Sequence, residues 1–414
     1  MRRPETWLGV TMSMLLFAPP IFAQPGSTLQ PDVTRLDVPD AFGALRSIHV
    51  GPTGQVHVVF SEPPFVRSWI VSTGEWQVVP LTGAPDSFVP SRLGWSGDRL
   101  WAIDRRQTAL WREGDGESEP SFQAVYLPRP GAGPRGYRVL AVDEAGRLIV
   151  GTAVTLSSMA AADPRSAAMF EELPPEIELP RPVDRLPVWV VQPDGGIADT
   201  IAMVSTANRA MMLPVSGGLD ASGTGRIEQI IRVQPLPDDP LVTASPTGSL
   251  LLVERPAEHG DASPAYLLKV FERDGHAAAV HSLSYVPVPV RSGWADSTIA
   301  ALADDLVERG EDPAAATETA SRVLHQPEHV PAVSAAHVGP DGWTWVRRYG
   351  LNEEGEQEWE VVDPEGTRVG VVSLDARLDV MAVHGQTAWA KTSNDSEPGT
   401  IWRIDARRLA LVPD

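Results

Sequence analysis

A short turn ending in glycine, followed at once by an alternating apolar strand, recurs along this 414-residue chain. The clearest copy, residues 338–346, reads Val-Gly-Pro-Asp-Gly-Trp-Thr-Trp-Val. Turn residues followed by β-branched and aromatic residues predict a tight hairpin that enters a half-buried strand. Glycine suits the turn because tight hairpins often need a positive φ. The six copies have their turn glycines at Gly54, Gly97, Gly146, Gly248, Gly342 and Gly385.

A second series of strands and turns alternates with the first. Its strand contains a tryptophan in five of six copies, namely Trp69, Trp111, Trp189, Trp359 and Trp402. Together the two series predict units of four short antiparallel strands. The glycine turns then join the first and second strands, and we expect the recurrent tryptophans in the core.

The spacing between the turn glycines predicts the fold class. The successive spacings are 43, 49, 102, 94 and 43 residues, and a four-stranded propeller blade occupies about 40–50 residues. Three spacings fit directly, and two contain an additional insertion. Six copies therefore predict an all-β, six-bladed β-propeller with a small helical insertion, in which radial repetition leaves only short strand edges exposed. Seven blades are the alternative, if residues 206–240 contain a further sheet around 227–231.

The chain resembles the six-bladed propellers of the NHL-like and TolB-like kind over roughly residues 40–414. Copies of a glycine turn followed by a hydrophobic strand, at 142–148 and 339–343, carry the resemblance. Such propellers include binding proteins, lyases, lactonases and scaffolds, so the resemblance implies a fold and no single activity.

Residues 1–23 have the pattern of a secretory signal peptide of an exported bacterial protein. Arg2 and Arg3 precede a mostly apolar run from Trp7 to Ala18, which is too short to span a bilayer, and Ala23 is a small residue suited to cleavage. We expect cleavage after Ala23, a periplasmic or secreted location and no stable membrane span. An uncleaved N-terminal anchor is the alternative. Residues 24–414 are predicted to form a single propeller domain.

Composition restricts the possible partners. The chain has no cysteine, which excludes disulfides and thiol catalysis, and its formal net charge is −20. An acidic surface repels nucleic acid. We expect a monomer whose partner is a protein or a small molecule, with no nucleic-acid partner.

Three long insertions, at 153–186, 206–240 and 289–331, interrupt the repeat. The third is predicted to contain two helices, the first capped by Asp296 or Ser297 and the second capped by Asp312 and ended by Pro327. In a four-stranded meander, second-to-third-strand loops and blade-to-blade loops emerge on one face. We therefore expect the insertions to cap one mouth of the central channel. A strand at 33–38 is expected to close the ring by pairing with residues 409–412.

Three arginines are the candidate ligand-binding residues. Arg46, Arg138 and Arg377 each lie eight residues before a turn glycine, which predicts equivalent positions near the start of the innermost strands. A ring of guanidinium groups there would bind carboxylate or phosphate. Salt bridges to acidic residues of neighbouring blades are the alternative.

Two motif matches do not fit their usual chemistry. Residues 131–136 match G-x-G-x-x-G, but a strand follows where dinucleotide binding needs a helix. Residues 325–329 match H-x-x-E-H, but Pro327 opposes the helical turn that zinc proteases require. Neither a metal site nor a cofactor is predicted from these motifs.

The sequence favours a ligand- or protein-binding propeller over an enzyme and does not specify the ligand. One alternative is a lactonase-like, metal-dependent hydrolase or lyase, with calcium or zinc in the axial channel. Another is a scaffold of an envelope complex.

Overall fold

The computed structural model describes residues 28–114, 119–127, 136–143, 145–153, 185–205, 210–219, 225–256, 263–272, 277–392 and 400–408. Within them, six units of four antiparallel strands form the blades of a propeller, and the last two units are joined into one eight-stranded sheet. The predicted six-bladed, all-β fold with a helical insertion is confirmed. Residues 1–23, the predicted signal peptide, lie outside the described residues.

The first three blades are built from consecutive strands, numbered β2 to β13. Blade 1 contains β2 (Leu45–Val50), β3 (Val56–Phe60), β4 (Val66–Ile70) and β5 (Glu75–Val78). Blade 2 contains β6 (Pro90–Ser96), β7 (Arg99–Asp104), β8 (Ala109–Arg112) and β9 (Ser121–Ala124). Blade 3 contains β10 (Gly136–Val142), β11 (Leu148–Ala153), β12 (Arg185–Val191) and β13 (Ile197–Ser205).

A hairpin formed by β14 (Ala210–Leu219) and β15 (Gly225–Val233) precedes the last three blades. Blade 4 contains β16 (Leu241–Ala244), β17 (Leu250–Glu254), β18 (Ala265–Phe271) and β19 (Ala277–Ser284). Blade 5 contains β20 (Val333–Val338), β21 (Thr344–Arg348), β22 (Glu356–Val362) and β23 (Arg368–Asp375). Blade 6 contains β24 (Leu378–His384), β25 (Thr387–Thr392), β26 (Ile401–Arg408) and the N-terminal strand β1 (Thr28–Leu36).

The N-terminal strand closes the ring as expected, but with a different partner segment. It pairs antiparallel with β26, from Leu36 opposite Ile401 to Leu29 opposite Arg408. The expected pairing with residues 409–412 is therefore wrong in register, and those residues lie outside the described part. The outer edge of β1 also pairs with β23 through Thr28 and Leu29. One strand thus covers the outer edges of both blade 6 and blade 5.

The turn glycines adopt the conformation that the repeat predicts. All six have positive φ, from 55° at Gly385 to 105° at Gly248. The innermost strands contact one another in ring order, and β24 returns to contact β2. The described core consists of six clusters of buried apolar residues, one at each interface between neighbouring blades. The recurrent tryptophans belong to these clusters, and Trp111 and Trp359 are almost wholly buried.

The hairpin β14–β15 occupies the connection between blades 3 and 4. It is a two-stranded sheet within the described residues, so the seven-bladed alternative is wrong. The insertion between β11 and β12, residues 154–184, lies outside the described residues. The expected gathering of all three insertions over one mouth of the channel therefore stays a prediction.

Two helices form the connection between blades 4 and 5. Helix α1 spans Trp294–Glu308 and begins after Gly293, so the predicted caps Asp296 and Ser297 lie inside its first turn. Helix α2 spans Pro313–Val323, and the Asp312 side chain accepts hydrogen bonds from the Ala314 and Ala315 backbone N–H groups, as predicted. Among the residues that the structure describes, neither helix has the length and apolar character needed to cross a bilayer.

The helices pack against the hairpin. Buried residues of α1 and α2 share one cluster with Ala210, Met211 and Leu213 of β14. The buried Gln234 side chain, just beyond β15, donates to the Val323 carbonyl at 2.8 Å and accepts from the His325 backbone N–H at 3.0 Å. Insertions that are far apart in sequence therefore form one packed unit.

Candidate ligand-binding site in the axial channel

A cavity of about 410 Å³ lies on the propeller axis and is lined by residues of all six innermost strands. All six blades contribute polar residues to its lining, which are Ser47, His49, Ser91, Arg92, Gln107, Arg138, Thr243, His337 and Asp379. Apolar residues, such as Val139 and Ala244, fill the positions between them. The cavity has the mixed polar and apolar lining of a site for a small polar ligand.

The turn between the first two strands of blade 4 contacts blade 2 at one side of this cavity. The Trp95 backbone N–H donates to the Pro246 carbonyl at 2.8 Å. A Cβ atom at Gly94 would lie 2.9 Å from the same carbonyl oxygen and closer still to the Trp101 ring. Gly94 therefore permits this close approach, because any side chain there would clash with backbone.

Two arginines on neighbouring blades carry positive charge into the cavity. Arg92 lies on β6 and Arg138 on β10, and Arg92 Nη1 donates to the Val139 carbonyl at 3.3 Å. The pKa of Arg92 falls to about 9, mainly because the guanidinium is buried and secondly because the Arg138 charge is close. Within the described residues, no acidic side chain forms an ion pair with either arginine. The pair is therefore a local concentration of positive charge in a chain of net charge −20.

His49 lies between blades 1 and 2 as a neutral acceptor. Its Nε2 accepts from the Leu93 backbone N–H at 3.3 Å and lies 2.9 Å from the Ser47 hydroxyl. The pKa of His49 falls to about 3, first because of burial and then because of the Arg92 and His57 charges. A neutral His49 ring adds no positive charge to that of the arginines.

His337 and Asp379 line the cavity from blades 5 and 6. The pKa of His337 falls to about 4, mainly through burial and further through the Arg347 charge. In a six-membered ring, blade 6 is opposite blade 3, so Asp379 faces the cavity across the axis from Arg138. A ligand there would meet guanidinium groups on one side and a carboxylate on the other.

Gln107 reaches the cavity from the loop between β7 and β8. It has a φ of 57°, the positive-φ region that a non-glycine residue seldom adopts. Its Oε1 accepts from the Val139 backbone N–H at 2.6 Å, beside the Arg92 contact to the Val139 carbonyl. Two side chains of blade 2 therefore bond to the N–H and the carbonyl of Val139, and so fix the backbone next to Arg138.

The three arginines singled out by spacing do not share one cavity. Arg138 lines the axial cavity, as above. Arg46 lines a separate cavity with Arg105 and Arg106, which lie in the loop between β7 and β8. Arg377 lies in the turn before β24, where it forms a bidentate ion pair with Asp375 at 2.6 to 3.2 Å. This hydrogen bonding lowers the pKa of Asp375 to about 2.

β-Bulges explain why equal spacing does not give equal placement. The register of five innermost strands shifts by one residue, and the extra residue is Arg46 in β2 but Leu140 in β10 and Met381 in β24. A bulge reverses the alternation of side chains beyond it. The position eight residues before the turn is therefore the bulge residue itself in β2, whereas it precedes the bulge in blades 3 and 6.

A different spacing identifies the cavity residues that the sequence analysis missed. His49, Arg92 and His337, together with Thr243, each lie five residues before a turn glycine. In blades 1, 2 and 5 this position lies between the bulge and the turn, so its direction is the same. Polar residues recurring there, in an otherwise apolar strand, are the signal that would have found them.

Where the structure describes them, the segments matching G-x-G-x-x-G and H-x-x-E-H lack the helices that dinucleotide binding and zinc-protease chemistry require. Residues 131–135 lie outside the described part, and a strand begins at Gly136. Helix α2 ends at Val323, and His329 forms a β-bridge with Pro289, so residues 325–329 are not helical. In the described part of the chain, no three histidine, aspartate or glutamate side chains are grouped closely enough to hold a metal ion.

Six radial sheets around an axial cavity define this chain as a six-bladed β-propeller. No protein-family model and no curated protein matches the sequence. Several solved structures resemble the chain at low sequence identity. A streptogramin B lyase structure has 13% identity and a TM-score of 0.37, with 91% of this chain and 98% of that chain covered.

Two further structures show similar levels of resemblance. The calcium-binding protein regucalcin from Agrobacterium tumefaciens has 10% identity and a TM-score of 0.35, covering 92% of this chain and 97% of that one. A putative gluconolactonase has 13% identity and a TM-score of 0.33, covering 91% and 92% respectively. The fold assignment rests on the six sheets themselves, and these similarities assign no activity.

Proposed function

We propose that this protein binds a small polar ligand carrying a carboxylate or phosphate group in the axial cavity. The observation that carries the proposal is the pair Arg92 and Arg138, two adjacent guanidinium groups with no acidic partner in the described residues. Two like charges beside one another in a partly buried site are unfavourable unless a counter-charge joins them. An anionic ligand would supply that counter-charge and accept hydrogen bonds from both groups.

The remaining lining restricts the ligand further. Ser47, Ser91 and Thr243 offer hydroxyl groups, and Asp379 offers an acceptor opposite Arg138. A ligand with one anionic end and hydrogen-bond donors at the other end would match both sides. Hydroxy acids, amino acids and sugar phosphates are the classes that combine these groups in a volume of about 410 Å³.

Calorimetric titration with citrate, phosphate and glucose 6-phosphate tests the proposal. We expect at least one anion to bind saturably, with binding weakened tenfold or more by Arg138→Gln. Arg35→Gln removes the same charge from an exposed site on β1 and should leave the affinity unchanged. Arg46→Gln and Arg377→Gln test the contributions that their spacing predicts. Equal affinities for Arg138→Gln and the unsubstituted protein would contradict an axial anion site.

We also propose that the protein acts after export, with a mature chain that begins at Gln24. The pattern of residues 1–23 supports this. Mass spectrometry of the protein recovered from the periplasm and the medium of an expressing bacterium tests it. An intact N-terminus in the membrane fraction would favour the uncleaved anchor.

A further inference from the structure

A second cavity, of about 520 Å³, lies between blades 4 and 5 and is distinct from the axial site. We call it the side pocket. It is enclosed by the segment 285–294 that leads into α1, the segment 330–332 that follows α2, and the loop 349–352 between β21 and β22. Its aromatic wall consists of Tyr266, Tyr285, Trp294 and Tyr349.

The side pocket has an ordered wall. Segment 288–290 pairs with 328–330, where the Val290 N–H donates to the Glu328 carbonyl and the Val330 N–H donates to the Val288 carbonyl, each at 3.0 Å. The Tyr349 hydroxyl donates to the Pro235 carbonyl at 2.8 Å. The pocket is therefore held open by hydrogen bonds from three separate connections.

Its polar floor is already paired. Glu360 is 1% exposed and accepts from Arg348 Nε at 2.8 Å and from the Tyr266 hydroxyl at 2.7 Å. Arg348 Nη1 also donates to Glu358 at 2.8 Å. Because these groups satisfy one another, the floor does not need a charged ligand group to neutralise it.

The rim is apolar and unusually exposed. Val286, Val288 and Leu351 are 85%, 55% and 59% exposed, and all three line the pocket. Apolar side chains grouped at the mouth of an aromatic pocket indicate a surface that a ligand covers. Covering them removes apolar area from water, which favours a ligand with an apolar body.

One charge at the rim lacks a partner. Arg291 is exposed, lines the pocket and forms no ion pair within the described residues. Glu358 and Glu360 of the floor are paired with Arg348. Arg291 at the mouth is therefore available to a charged group of a ligand.

We infer that the side pocket binds a small amphiphile, with an apolar aromatic or acyl body against the tyrosines and Trp294 and a single anionic group at Arg291. This site is independent of the anion site on the axis. It differs from that site chemically, because its ligand is held mainly by apolar contact.

Two fluorescent probes of similar shape test this inference. 8-Anilino-1-naphthalenesulfonate carries one anionic group, and N-phenyl-1-naphthylamine is its neutral counterpart. We expect both to bind the folded protein with a stoichiometry of one. Val288→Asp and Leu351→Asp should each weaken both probes at least tenfold. Arg291→Glu should weaken the sulfonate at least fivefold and leave the neutral probe within twofold.

Matched variants exclude general effects of added charge. Val71→Asp places the same carboxylate at an apolar residue of blade 1 that is 50% exposed, and Arg105→Glu reverses a charge on blade 2. Neither should change the affinity of either probe. Melting temperatures and near-ultraviolet circular dichroism establish that every variant is folded.

Three results would overturn the inference. The first is the absence of saturable probe binding, and the second is binding that Val288→Asp and Leu351→Asp leave unchanged. The third is an equal loss of affinity for both probes in Arg291→Glu. That result would mean that Arg291 does not recognise an anionic group on the ligand. Concentration-dependent dimerisation that Leu351→Asp abolishes, without probe binding, would instead identify the rim as a protein contact.

Discussion

Gln234 and His325, which are 91 residues apart, are joined by a hydrogen bond of 3.0 Å from the His325 backbone N–H to the Gln234 side-chain oxygen. The amide nitrogen of Gln234 donates to the Val323 carbonyl at 2.8 Å, so one buried side chain satisfies two backbone groups at the end of α2. This amide couples the connection after β15 to the helical insertion.

Replacing Gln234 should destabilise the protein measurably. Gln234→Ala leaves a buried carbonyl and a buried N–H without their partner, which costs about 1–3 kcal/mol for each unsatisfied group. Arg232→Ala removes the ion pair from β15 to Asp305 of α1, and Arg232 is 43% exposed there. That variant should lose no more than about 1 kcal/mol. Urea unfolding measures both, and equal losses would show that the amide has no special role.

Replacing the buried Glu360 should destabilise the protein more than replacing the partly exposed Glu358. Glu360 lies 2.6 Å from Arg368 and 2.8 Å from Arg348, and removing it leaves buried positive charge uncompensated. We expect Glu360→Gln to cost on the order of 3 kcal/mol in the free energy of unfolding. Glu358→Gln removes only the partly exposed pair with Arg348 and should cost about 0–1 kcal/mol. A loss of 1 kcal/mol or less for Glu360→Gln would contradict the assignment.

Stability should fall as the pH is lowered from 7 to 5. The folded pKa values of His49 and His337 are about 3 and 4, below the ordinary value of 6.5. The unfolded chain therefore binds protons first, and the stability present above pH 6.5 is lost progressively as the pH falls toward the folded values. Each histidine should contribute up to about 2 kcal/mol to the loss between pH 7 and pH 5.

Substitution of these histidines measures that contribution. We expect His49→Gln and His337→Gln, singly and together, to reduce the difference in unfolding free energy between pH 7 and pH 5. His329→Gln replaces a histidine outside the axial cavity and serves as the control. A pH dependence that persists unchanged in the double variant would assign it to other groups.

The glycine turns should tolerate residues according to their backbone preference. Gly342 has a φ of 83°, and a Cβ atom there would lie 3.3 Å from Pro364. Gly342→Val should cost about 1–3 kcal/mol, because a β-branched residue rarely adopts this conformation. Gly342→Asn should cost less, because asparagine enters the left-handed region more readily. Thermal unfolding compares the two, and an unchanged melting temperature for Gly342→Val would contradict the argument.

The repeat of glycine turns and alternating strands was sufficient to predict the ring of six blades, because each turn requires a backbone conformation that glycine adopts most easily. The cap at Asp312 was also predictable, since a capping side chain bonds to the backbone two and three residues ahead. Such features depend on neighbours in sequence.

The tertiary structure alone decided which side chains face the axis and which strand closes the ring. Bulges at Arg46 and Leu140 shift the alternation differently in β2 and β10, so equal spacing placed Arg46 and Arg138 in different cavities. Arg92 meets Arg138 because the ring brings two innermost strands together. Contacts of this kind depend on strand register and blade packing, which are set by the whole ring of blades rather than by local sequence.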